Sequence, residues 1–220
     1  PEAQQDEELK LLALTGLMNA QPEKALPVLR KLFATGSPKV KERALFVLSQ
    51  STAPEAGELL AQVARDTSQP ALQKKAIHFL GLWGDCESNA RLLDRIYRES
   101  TSAGVKREVL HAYMIGRNSS RLIDLAKSES DPAMQAEAIR MLGMVPAEVT
   151  RGVLAALYRE SRSREVKNEA LEALFLQQSV STLVELARAE TDPRQKKSIV
   201  EKLTLMQEPE AQEYLLELLQ

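Results

Sequence analysis

The sequence predicts an all-α fold: an α-solenoid of about seven helix-pair repeats, forming one domain over residues 1–220. Three observations predict it. One six-position motif returns at roughly 30-residue intervals, a spacing that marks stacked helical repeats. A longer echo returns at a fixed offset of 61 residues. Glycine contributes nine residues, and Trp, Tyr and Phe together only nine, too few for the turns and strands of an all-β chain.

The motif reads Leu9-Lys-Leu-Leu-Ala13-Leu, then Val40-Lys-Glu-Arg-Ala44-Leu and Leu72-Gln-Lys-Lys-Ala76-Ile. It continues as Val105-Lys-Arg-Glu-Val109-Leu, Met134-Gln-Ala-Glu-Ala138-Ile and Val166-Lys-Asn-Glu-Ala170-Leu. The fifth positions are spaced by 31, 32, 33, 29 and 32 residues. Across 61 residues, Tyr97-Arg-Glu-Ser100 returns as Tyr158-Arg-Glu-Ser161, Leu122-x-x-Leu125-Ala126 as Leu183-x-x-Leu186-Ala187, and Asp131-Pro132 as Asp192-Pro193. A seventh copy surrounds Ile199-Val200-x-x-Leu203, with Gln195 where the opening aliphatic residue belongs.

Each repeat divides into two helices. The first begins at Pro38, Pro70, Pro132 or Pro193, because proline's missing N–H has no helical partner in the first turn. Ser37, Asp131 and Asp192 precede three of these prolines and are natural N-caps. Counting the opener as zero, positions 0, 4, 5 and 8 fall on one stripe at 100° per residue. In the second repeat these are Val40, Ala44, Leu45 and Leu48. The small residue at position 4 lets neighbouring helices approach closely. A turn such as Trp83-Gly-Asp85 or Gly116-Arg-Asn118 follows. The second helix carries Leu59-Leu60-x-x-Val63-Ala64, Leu92-Leu93-x-x-Ile96-Tyr97 or Leu154-x-x-Leu157-Tyr158. A helix pair cannot bury such a stripe alone, so stacking is required.

These motifs resemble the HEAT-repeat family, in the short bacterial variant related to the HEAT-like repeats of phycobilin lyases. Asp131-Pro132, Val166-Lys167-x-x-Ala170-Leu171 and Leu142-Gly143 carry the resemblance, which spans residues 6–220. Armadillo repeats need a third helix, and the tetratricopeptide pattern is not found. The resemblance implies that the Val-Lys helix lines a concave face. It also implies a ladder between repeats, in which Asp66, Asp131 and Asp192 meet Lys41, Lys106 and Lys167. Such a ladder is structural rather than catalytic. The family implies protein binding; its lyase members imply the alternative of a chaperone or lyase that holds a small cofactor.

Lysine plus arginine total 29 against 31 acidic residues, a net charge of -2, which argues against a nucleic-acid partner. The alkylpurine DNA glycosylases, another helical-repeat class of this length, combine a basic groove with several tryptophans, whereas this chain has one. No apolar run is long enough to span a bilayer, so membrane insertion is not expected. The single Cys86 excludes an internal disulfide and reads as an inert thiol. Trp83 reads as a packed loop residue, and Met114, Met141 and Met144 as helix packing. The acidic opening at Glu2, Asp6, Glu7 and Glu8, and the ending Leu215-Leu-Glu-Leu-Leu-Gln220, read as the ends of a mature or excised piece of a longer protein. The compartment stays open between cytoplasm and, after removal of a signal peptide, periplasm.

The solvent side of the first helices lies at positions 2, 3, 6 and 10. Position 6 reads Phe46, His78, His111, Arg140 and Glu172; position 3 reads Arg43, Lys75, Glu108, Glu137 and Glu169. An exposed Phe46 in such a column marks a contact surface. The candidate protein-binding face is therefore Arg43, Phe46, Lys75, His78, Arg107, His111 and Arg140. His78, His111 and Glu108 lack the tight spacing of a metal motif, so no metal is assigned. No phosphate loop, His-Glu-x-x-His or Gly-x-Ser-x-Gly is present. The expectation is a monomeric, non-catalytic scaffold with no cofactor and a protein or peptide partner.

Overall fold

The computed structural model describes residues 2–51, 53–83 and 87–220, with side chains from residue 9 onward except at 54. Cys86 and the Gly84-Asp85 turn lie outside the described residues. The described chain is all helical, with fourteen helices, and it divides into two compact units, Pro1–Gly116 and Arg117–Gln220.

The first unit holds α1 (Glu2–Ala20), α2 (Pro22–Thr35), α3 (Pro38–Ser49), α4 (Pro54–Arg65), α5 (Pro70–Leu82), α6 (Glu87–Glu99) and α7 (Ala103–Ile115). The odd-numbered helices pack side by side in one layer, and α2, α4 and α6 form the second. The second unit holds α8 (Ser119–Ser128), α9 (Pro132–Leu142), α10 (Ala147–Glu160), α11 (Arg164–Leu176), α12 (Val180–Ala189), α13 (Pro193–Leu203) and α14 (Pro209–Glu217). There α9 packs on α11, while α8, α10, α12 and α14 pack in succession. This is the α-solenoid arrangement, repeated in each unit.

The predicted stripe is the core. Val40, Ala44, Leu45 and Leu48 are buried, as are Leu72, Ala76, Ile77 and Leu80. The same positions are buried in α7, α9 and α11. Each fully buried Leu or Ile contributes about 1.5–3 kcal/mol, which offsets the entropy lost in ordering the helices. The first repeat departs from the pattern. Leu9 is 64% exposed and Ala13 is also exposed, while Leu11, Leu14 and Met18 are buried. Among the described residues α1 packs mainly against α2 and α3, whereas α3 and α5 each lie between two neighbours of their layer. Met144 is also a correction, being 57% exposed, whereas Met141 is buried.

Ser37, Asp131 and Asp192 cap their helices as predicted, accepting from the backbone N–H of Val40, of Ala133 and Met134, and of Arg194 and Gln195. Ser102 and Ser163 cap α7 and α11 in the same way.

Position 4 is fully buried at Ala44, Ala76, Ala138 and Ala170, and close approach between first helices also involves a second small position. A Cβ on Gly81 would lie 2.7 Å from both the Cα and the carbonyl oxygen of Ala112. A Cβ on Gly143 would lie 3.0 Å from Ala173 Cα. The glycine at position 9 of one repeat therefore interlocks with the alanine at position 7 of the next. Trp83 is the packed loop residue expected: its indole N–H donates to the Ser49 carbonyl at 2.8 Å, and its ring lies over Gly57.

Candidate functional site

In the first unit, helices α3, α5 and α7 turn positions 2, 3 and 6 toward solvent. Between them lies a groove of about 580 Å³. Its floor is aromatic. Phe46 is 56% exposed, and its ring centroid lies 6.4 Å from that of the half-buried Phe79, tilted by 59°. His78 meets the other side of Phe79 edge-on, with centroids 6.0 Å apart. Tilted and edge-on pairs bring the positive ring edge to the negative face, which fixes these rings without filling the space above them.

Charged groups form the walls. Lys75 Nζ lies 2.6 Å from Glu42 Oε2, linking α5 to α3. His78 Nδ1 lies 3.2 Å from Glu108 Oε1, linking α5 to α7. Arg43 and Lys74 complete the lining. Each bridge joins adjacent repeats at a half-exposed site, where such pairs contribute about 0–1 kcal/mol. Their main effect is to hold the aromatic floor open between two fixed walls.

Of the predicted face, Arg43, Phe46, Lys75 and His78 therefore line one groove. Arg107 is exposed and His111 half-buried on α7, outside its lining. Arg140 belongs to the second unit. Its guanidinium donates to Glu137 at 2.6 Å and Glu169 at 2.8 Å, and Glu169 raises its pKa above the usual value. Glu172 accepts from Lys202, whose ammonium stands 5.5 Å from the Phe175 ring centroid. The second unit thus meets its acidic column with cations of its own. Among the described residues no group of three or more His, Cys, Asp or Glu side chains is placed to hold a metal ion.

The expected aspartate–lysine ladder takes a different form. Asp131 and Asp192 use their carboxylates as N-caps. Lys41 donates to Gln69 at 2.6 Å, and Gln69 in turn donates to Asp66. The hydroxyl and backbone N–H of Ser68, together with Gln69, hold the Asp66 carboxyl below its usual pKa. Lys106 and Lys167 instead stand over tyrosine rings.

Sequence reasoning missed a second cavity and a column. About 670 Å³ of largely apolar space lies between α1, α2 and α3, bounded by Leu14, Leu17, Val28 and Leu32. Position 10 carries Leu82 in the first unit and Met144, Leu176 and Leu205 in the second, each more than half exposed. The recurrence was readable from the 61-residue alignment, since Ile115 and Leu176 are equivalent.

The comparisons with known proteins bear on the first part of the chain. Residues 2–81 match the family model described as HEAT repeats. No curated protein matches the chain. Among solved structures it is similar to human deoxyhypusine hydroxylase in complex with glycerol, at 20% identity and a TM-score of 0.38, over 99% of this chain and 92% of that one. Among the described residues no helix is long and apolar enough to cross a membrane.

Proposed function

We propose that the chain is a non-catalytic HEAT-repeat scaffold that binds a protein or peptide on the solvent face of α3, α5 and α7. The carrying observation is the open aromatic floor of Phe46 and Phe79 inside a wall of paired charges. A phenylalanine held more than half exposed at a groove mouth loses about 25 cal/mol for every Å² left in water, and a partner side chain recovers that energy. The charged walls add specificity more than affinity.

The test is selection of randomly displayed peptides on the full chain, followed by rebinding to Phe46→Glu. Phe46 is largely exposed, so the variant keeps its helicity by circular dichroism. Peptides that lose binding to the variant support the groove. If every selected peptide binds both forms equally, the reading is wrong about the face.

A cofactor-holding role is the second reading, and one observation favours it. The space between α1, α2 and α3 has the size and apolar lining of a small-molecule site. An apolar fluorescent dye such as anilinonaphthalene sulfonate tests it. Stoichiometric binding that disappears in Val28→Glu supports the second reading; absence of binding by the wild type rejects it.

A further inference from the structure

The groove's charges are not all balanced within it. Lys75 is matched by Glu42, and the Glu108 carboxylate lies against the His78 ring. Lys74 and Arg107 are different: among the described residues neither forms an ion pair or a hydrogen bond. They occupy the same register, two residues after the openers Leu72 and Val105, on helices α5 and α7 that pack directly on one another. Lys74 extends across to α7, where its Nζ lies 2.5 Å from the position a Cβ on Gly104 would take. Arg107 lies one turn further along that same helix and is exposed. One of these cations, Lys74, thus lines the groove, and the other stands on α7 outside its lining.

We infer that the occupant of this groove is an acidic peptide segment, with one large apolar side chain seated on Phe46 and Phe79 and carboxylates over Lys74 and Arg107. The inference rests on the groove reading above and specifies its ligand. Lys74 Nζ reaches α7 beside Gly104, three residues before Arg107 on that helix. An extended chain advances about 3.3 Å per residue, so carboxylates a few residues apart on one peptide can reach both cations. Their mutual repulsion in the free protein is relieved when the carboxylates arrive. Both cations face water, so their contribution is screened by salt and acts largely on the association rate. A basic segment would meet the same two cations unfavourably, which gives the groove discrimination by sign.

The test sequences the displayed peptides that require Phe46, then measures the strongest by fluorescence anisotropy against the full chain. The expected result is Asp or Glu enriched a few residues apart beside a large apolar residue. Lys74→Ala/Arg107→Ala should then weaken binding about tenfold and flatten its salt dependence, while Lys74→Arg/Arg107→Lys restores both. Phe46-dependent peptides that lack acidic enrichment, or that bind the alanine pair unchanged, overturn the acidic ligand and leave the groove standing. Failure to obtain any Phe46-dependent peptide overturns both.

Discussion

Lys167 Nζ stands 4.7 Å above the ring of Tyr158, and nine residues separate them in sequence. The same relationship joins Lys106 to Tyr97 at 5.0 Å. At Ala64 and Ala126, which stand at the tyrosine position, the lysine position is glutamine: Gln73 donates to the Ala64 carbonyl at 3.0 Å, and Gln135 to the Ala126 carbonyl at 2.9 Å. A helix ends with unmatched carbonyls. With only alanine there, glutamine reaches the carbonyl itself. With tyrosine there, the ring offers a surface for an ammonium instead. Either way the following helix is fastened to the preceding one. Lys167→Met keeps the stem and removes the charge, and should lower unfolding free energy by about 0.5–1 kcal/mol. Gln135→Leu should cost about 1 kcal/mol or more, because the Ala126 carbonyl loses its partner. Urea midpoints measure both.

Tyr158 also donates its hydroxyl to Glu190 at 2.5 Å, and this pair makes stability depend on pH. Burial, then the Glu190 hydrogen bond and charge, raise the phenol's pKa well above its ordinary value. For Glu190, burial pushes the carboxyl up, but the Tyr158 hydroxyl, the backbone N–H of Asp192 and Thr191, and Lys167 outweigh it and hold the carboxyl below its usual pKa. The signs follow from proton linkage. The lowered carboxyl contributes stability above its unfolded pKa, lost as pH falls through its folded one. The raised phenol contributes stability below its unfolded pKa of about 10, lost as pH rises toward its folded one. Tyr158→Phe should flatten the alkaline limb and weaken the acid limb of a plot of urea midpoint against pH. An unchanged alkaline limb would show that the phenol is not the titrating group.

Arg117 and Gln178 hold φ of 58° and 54°, at positions 61 residues apart, each just after the first helix of a repeat. This left-handed conformation costs an L-residue about 1–2 kcal/mol and glycine almost nothing. Glycine spends part of that gain on a more flexible unfolded chain. Arg117→Gly should therefore raise the thermal midpoint, by about 0.5–1 kcal/mol in stability. A fall in the midpoint would mean that the arginine stem packs usefully at this turn.

The periodic stripe made the helices, their order and most of their buried faces legible, because burial at positions 0, 4, 5 and 8 follows from helical geometry alone. It failed at Leu9 and Ala13 on α1, which among the described residues packs mainly against α2 and α3. The candidate face was legible in part. Phe46 stood out as an aromatic on a solvent position, and Arg43, Lys75 and His78 followed from the same columns. Phe79 did not, since position 7 is buried elsewhere, as Val47, Ala112, Met141 and Ala173 are. Pairing was not legible either. That Lys106 and Lys167 meet tyrosine rings nine places earlier, while Lys41 meets Gln69, is visible only once the repeats are placed side by side.

Gly81 and Gly152 make opposite predictions from the same substitution. Both are inside helices, where glycine costs about 0.5–1 kcal/mol relative to alanine. At Gly152, in α10, an added Cβ meets nothing within 4 Å, so Gly152→Ala should stabilise by about that amount. At Gly81, in α5, the added Cβ meets Ala112 backbone atoms at 2.7 Å. Backbone cannot rotate away as a side-chain tip can, so α5 and α7 must separate along their shared length. Overpacking of this kind costs about 1–3 kcal/mol and exceeds the gain in helix propensity. Gly81→Ala should lower the urea midpoint, and adding Ala112→Gly should not restore it, because the atoms met at 2.7 Å are the Ala112 Cα and carbonyl oxygen, which remain. If Gly81→Ala raises the midpoint as Gly152→Ala does, the interlock of positions 9 and 7 is not what sets the spacing of these repeats.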